Sequence, residues 1–113
     1  MTRRVETLLS EILGAIELVQ RYVQGVSYLD FAVDVEKQDA AMRRLEIIGE
    51  AVKGLPEAVK SEHPGVPWRD IAGARDILIH EYFRVDVEMT WQMVRKDLPA
   101  LATDIRAIAK SLE

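Results

Sequence analysis

The sequence predicts an all-α, single-domain bundle of about five helices spanning residues 1–113. Three observations carry that expectation. Apolar residues recur at the three-to-four-residue spacing of a helix along most of the chain. Ala, Leu, Ile, Val, Glu and Arg dominate and aromatic residues make up only 6%, a composition that favours helices packed on helices. No stretch shows the strict alternation of a strand, and neither an internal repeat nor a low-complexity linker interrupts the pattern. A length of 113 residues suits one domain with one core.

The first helix follows from Val5, Leu8, Leu9, Ile12, Ile16, Val19 and Val23 at helical spacing, with Arg4, Glu6, Glu11, Glu17 and Arg21 on the other faces. The segment "GVSYLDF" breaks it. Ala41, Leu45, Ile48, Ala51, Val52 and Leu55 define a second helix that stops near Gly54–Pro56. "PEAVKSEH" makes a short helical piece, and "PGVPW" is the clearest turn signal in the chain. A third long helix is expected from about Trp68 to about Phe83, just after Pro67. Asp86 can cap a fourth, with Val87, Trp91 and Val94 on one side. Pro99 suits the first turn of a last helix carrying Leu101, Ile105, Ile108 and Leu112.

Composition narrows the function classes. Without cysteine there is neither a disulfide framework nor a thiolate metal site. Two histidines, His63 and His80, are too few for a His-rich cluster in one chain, which leaves only a carboxylate magnesium site open. The expectation is therefore no cofactor. "MTRRVETLLSEIL" has a basic front but no uninterrupted apolar region, so a signal peptide is not expected, and no apolar run approaches the roughly 20 residues of a membrane span. A cytoplasmic protein with no membrane partner is expected. The net charge of −4, with Lys and Arg scattered along the chain, argues against a broad nucleic-acid-binding stripe but permits a compact site for one phosphate.

"GARDILIHEYF", residues 73–83, places charged and titratable groups on an otherwise apolar helix. Such groups are costly in a core unless paired or used. At about 100° per residue, Ile71, Ala74, Leu78 and Tyr82 form a stripe, widened by Ile77 and Ile79, and Arg75 falls inside it. The narrow opposite strip holds Arg69, Gly73, Asp76 and His80. A helix this apolar should lie centrally or be covered by a second subunit. Asp76 and His80, four apart, are neighbours, and a carboxylate beside an imidazole favours its protonated form. Arg75 and His80 lie about 140° apart, so they converge only if Arg75 curls round, the helix loosens near His80 or a partner chain closes the site, which is a reason to expect a dimer.

Blander readings apply to other positions. His63 is expected in solvent, and Trp68 and Trp91 as core aromatics. Glu46 and Glu50, beside Arg43 and Lys53, suit a solvated salt-bridged face, with Glu50 the first candidate for another role.

Arg75, His80 and Tyr82 form an Arg-x4-His-x-Tyr pattern that resembles the HepT-like toxins of the HEPN superfamily, encoded beside minimal nucleotidyltransferase (MNT) antitoxins. "RRLEIIGEAVKGLPE", "VPWRDIAGARDILIHEYFRVD" and "WQMVRKDLPAL" follow the family's order from about Arg43 to the C-terminus. The resemblance implies a metal-independent endoribonuclease acting as a homodimer, with two motif copies facing across a cleft. Arg75 and His80 would be catalytic and Asp76, where the family often has Asn, supporting. Tyr82 would be the acceptor of AMP from the nucleotidyltransferase. A binding subunit without chemistry of its own, docked onto and modified by such an enzyme, is the alternative, and a helical dimer in which Arg75 and Asp76 are structural ion-pair partners is a third.

Overall fold

The computed structural model describes the backbone of residues 2–80 and 87–113, and side chains within 4–74 and 87–113. All regular structure in the described residues is helical. The elements are α1 (Thr2–Tyr22), α2 (Tyr28–Ala32), α3 (Val35–Gly54), α4 (Glu57–Glu62), α5 (Trp68–His80), α6 (Val87–Gln92), a π-helical turn (Met93–Asp97) and α7 (Leu98–Ser111).

All the apolar positions expected to anchor the first two long helices are buried. On α1 and the turn after it, the stripe from Val5 to Val23 packs against α3 and α7. On α3, Ala41, Leu45, Ile48, Ala51 and Val52 turn inward, and Gly49 joins them. Because these positions wrap around more than one side of α3, both α1 and α5 pack along it. Among the described residues α3 is thus packed on two sides, while the side chains of "GARDILIHEYF" beyond Ala74 lie outside the described residues. The described side chains of α5 beyond Trp68 divide between exposed Arg69 and Asp70 and half-buried Ile71, Ala72 and Ala74.

Local chemistry fixes the ends of these elements. Asp34 caps α3, its Oδ1 accepting the Lys37 backbone N–H at 3.1 Å. Gly25, at φ +72°, turns the chain after α1 in the left-handed region that side chains avoid. The latter part of "GVSYLDF", read from the sequence as a break, makes the single-turn helix α2. Ser27 Oγ accepts the Asp30 N–H at 3.1 Å at its start. Gln38 Nε2 donates to the carbonyls of Phe31 and Ala32 at 2.8 and 3.1 Å at its end. Phe31 is wholly buried.

The fourth and last helices expected from the sequence are one rod. Gln92, Asp97 and Leu98 all keep helical dihedrals, and the Leu98 N–H reaches back five residues to the Met93 carbonyl. Pro99 explains the widened turn. It has no N–H for the carbonyl four residues back, and its ring crowds that carbonyl. An added residue in the preceding turn relieves the crowding without ending the helix. Asp86, the expected cap, lies outside the described residues.

Two glycines test the backbone account with opposite signs. Gly14 sits inside α1, and a Cβ there meets nothing within 4 Å. Gly14→Ala should raise stability by about 0.5–1 kcal/mol through the lower entropy of the unfolded chain. Gly25→Ala, equally free of contacts but held at φ +72°, should cost about 1–2 kcal/mol. Urea unfolding midpoints of the two variants check both signs.

Candidate active site

The motif helix α5 is anchored at its N-terminal end. Pro67 precedes it, and the Trp68 N–H donates to the Val66 carbonyl at 2.8 Å, a tight turn that aims the chain into the helix. The buried Trp68 indole then reaches back, its Nε1–H shared between the carbonyls of His63 at 3.0 Å and Lys60 at 3.2 Å. These carbonyls, on the last turn of α4 and the residue that follows it, also accept the His63 and Val66 backbone N–H groups at 3.1 and 3.2 Å, so the indole is a second donor to each. One side chain thus fixes the start of α5 against α4. His63, expected in solvent, is half-buried, and its backbone carbonyl carries the Trp68 contact.

From this anchor the helix runs roughly 18 Å to His80. Trp68 is buried, and Ile71 and Ala72 pack on the core. Position 75 follows Ile71 by four residues and Ala72 by three, so its register is that of the packed face. Positions 76 and 80 continue the register of Arg69 and Gly73, and Arg69 is exposed. Arg75, Asp76 and His80 all lie within α5; their side chains, and all of Tyr82, lie outside what the structure describes. By backbone register, Arg75 and His80 occupy different faces of one helix.

Two hollows flank α5. One, of about 610 Å³, sits at the α4–α5 corner beside Glu57, Lys60, Arg69 and Asp70, at the opposite end of the helix from His80. The other, of about 660 Å³, lies between α3, α5 and the α6–α7 rod and borders Gly73 and Ala74, immediately before Arg75. Its walls are mainly apolar, with Leu45, Ile48, Ile71 and Met93 among them. Among the described residues its charged groups are Asp70, Asp97, Asp104 and Arg69.

Elsewhere, Arg43 pairs with Glu46 at 3.4 Å on the surface of α3, as the salt-bridged face predicts. Glu50, the candidate exception, is exposed on the same helix. Arg44, half-buried on α3, has its Nε shielded from solvent with no hydrogen-bond partner, a donor that an anion beside α3 can satisfy. Trp91 is half-buried, stacked near Phe31 at 5.1 Å and Tyr28 at 6.1 Å, with the Arg95 guanidinium 5.2 Å from its ring centre. The sequence marked Trp91 as apolar but had no signal for Gln38, Arg44 or Arg95, whose roles depend on contacts made in the folded chain. Among the described residues, no group of three or more His, Asp or Glu side chains could hold a metal ion, and no helix is long and apolar enough to cross a membrane.

Comparison with known proteins identifies the family. The family described as ribonuclease HepT-like matches residues 12–108. The chain belongs to the HepT-like ribonucleases, of the HEPN superfamily. It is 42% identical over 110 residues to a Thermococcus cleftensis protein named, by inference, a ribonuclease HepT, covering 97% of this chain and all of that one. It is 44% identical over 100 residues, 88% of this chain and 89% of the other, to a Caldanaerobacter subterraneus protein assigned by inference as an RNase. A Methanocaldococcus jannaschii protein whose name joins gamma-glutamylcyclotransferase to an inferred RNase is 42% identical over all 113 residues, and this chain spans 51% of its length. No solved structure gives a significant match. The match to the HepT-like family covers α3 and α5 entirely, so the helix that carries Arg75 and His80 and the helix beneath it both lie in the shared region.

The Trp68 anchor is open to test. Trp68→Phe keeps a buried ring but removes a second donor from two carbonyls that retain their backbone partners, and should cost about 0.5–1.5 kcal/mol. Chemical denaturation measures the loss. A variant as stable as the wild type would show that the indole N–H does not fix α5.

Proposed function

We propose that this HepT-like ribonuclease cleaves RNA without a metal ion, at a composite site formed where two copies of α5 meet. The carrying observation is the helical register: Arg75 and His80 sit on one helix of the family-matched region but on different faces of it. The half-buried residues of α5 agree with a second chain covering part of that helix.

The chemistry fits the residues. The 2′-hydroxyl of RNA attacks the adjacent phosphorus, forming a cyclic phosphate and expelling the 5′-oxygen of the next nucleotide. One group must take the hydroxyl proton, another must protonate the leaving oxygen, and a cation must stabilise the charge on the phosphoryl oxygens. Imidazole titrates near neutrality and suits both proton transfers. His80 of one chain acts as base and His80 of the other as acid. Arg75 binds the phosphate through its planar fork of donors. Asp76, one helical turn before His80, favours the protonated imidazole.

In this reading the protein is the toxin of a toxin–antitoxin pair, restrained by a nucleotidyltransferase of the MNT type. The Tyr82 phenolic oxygen attacks the α-phosphorus of ATP. An O–P bond forms, the α–β anhydride bond breaks, pyrophosphate leaves and the phenolic proton is lost. The AMP group adds bulk and negative charge two residues from His80, which excludes RNA.

Two measurements test these assignments. Purified wild type should degrade total RNA in the presence of chelator, whereas His80→Ala should be slower by on the order of hundreds- to thousands-fold while still folded and dimeric. Intact RNA after incubation with the wild type sinks the nuclease mechanism. Co-expression with the neighbouring nucleotidyltransferase should add the mass of AMP to the wild type and none to Tyr82→Phe. Mass retained in that variant places the modification elsewhere.

A further inference from the structure

The large apolar side chains that stand exposed among the described residues fall in one short segment. Tyr28, Leu29, Val33 and Val35 are 37, 77, 82 and 65% exposed. Large apolar side chains exposed together in one short segment, rather than scattered singly, mark a contact surface.

The patch is held in place from both ends. Ser27 caps the start of α2, Gln38 satisfies two carbonyls at its end, and Asp34 begins α3 immediately afterwards. Phe31 is fully buried and stacks 5.1 Å from Trp91, while Tyr28 lies 6.1 Å from the same ring. Leu29, Val33 and Val35 are thus displayed on a frame ordered before any partner arrives. Such preorganisation lowers the entropy lost on binding.

Charge narrows the choice of partner. Residues 28–39 hold Asp30, Asp34, Glu36 and Asp39 against Lys37 alone, a net −3 within a chain of net −4. Asp30, Glu36 and Asp39 are exposed. RNA is repelled here. A second copy docked two-fold on the same patch would set these carboxylates against their own equivalents. The complementary surface belongs to a different protein, with an apolar recess rimmed by Lys and Arg.

Chain connectivity narrows it further. α2 packs against α6 through the Phe31–Trp91 contact. α6 begins at Val87, five residues after Tyr82, so the Cα atoms of Tyr82 and Val87 are within about 18 Å whatever path joins them. A protein seated on α2 and α6 stands within reach of Tyr82.

We infer that Tyr28, Leu29, Val33 and Val35 form the surface on which the nucleotidyltransferase docks in order to modify Tyr82. The assignment rests on the reading of Tyr82 given above. It adds where the enzyme grips the chain and what chemistry its contact face carries.

The test uses the full chain and the purified nucleotidyltransferase encoded beside it. Affinity is measured by titration calorimetry and AMP transfer by intact mass after addition of ATP. The Leu29→Asp/Val33→Asp double variant should bind at least about tenfold more weakly than the wild type and accept AMP more slowly. Its melting temperature, dimeric state and RNA cleavage should be unchanged, because both side chains are on the surface. Asp30→Lys/Glu36→Lys should also weaken binding, and added salt should narrow its difference from the wild type. Wild-type binding and AMP transfer in the Asp double variant would overturn the docking surface while leaving the Tyr82 reading intact. A wild type that gains no AMP would overturn that reading, and this partner with it. Loss of the dimer in the Asp double variant would reassign the patch to contact between copies of this chain.

Discussion

The fold depends on α3 being apolar on two sides at once. Ala41, Leu45, Ile48 and Val52 follow the spacing of a single stripe, and buried Gly49 and Ala51 extend it around the helix. α1 and α5 can therefore both pack along it. Small residues at positions 41, 49 and 51 help, because they let neighbouring backbones approach. An α3 with only one apolar face would hold α1 and leave the motif helix with nothing to lie on. Packing of α3 thus connects the hydrophobic core to the candidate site, although none of its core residues is chemically reactive.

Placing α5 against α3 has a cost in geometry. The packed face is set by Trp68, Ile71 and Ala72, and helical periodicity then dictates where later positions lie. Arg75 inherits that face, while Asp76 and His80 inherit the exposed register of Arg69. No choice of side-chain rotamer moves a residue about 140° around a helix. In the proposed mechanism a second chain resolves the conflict.

What the sequence revealed tracks how local each cause is. The buried stripes of α1 and α3 were legible position by position, because burial imposes a period that many residues repeat. α2 was not, because five residues show no period. Its helical turn is stabilised by Gln38 and Trp91, which are distant in sequence from most of it. The continuous rod from Val87 to Ser111 was hidden for another reason. Pro99 is a fair signal of a helix start, and only the widened turn at Met93–Asp97 lets the helix pass through it. At the candidate site, the residue types and their angular separation could be read from the sequence. Their convergence could not, because in the proposed mechanism it requires atoms beyond this one chain.

An acidic protein in a ribonuclease family looks contradictory only if its charge is spread evenly. Residues 28–39 account for −3 of the net −4, and the rest of the chain balances fifteen acids against fourteen bases. The remainder is nearly neutral, so whole-chain charge sets little bias for or against RNA there, and a few positioned cations decide. Beyond about 8 Å at physiological ionic strength the acidic segment is largely screened. Concentrating the carboxylates around an apolar patch therefore separates two kinds of recognition on a small protein. In the proposed reading the patch turns RNA away and favours a basic protein surface, while phosphate binding is left to the motif helix.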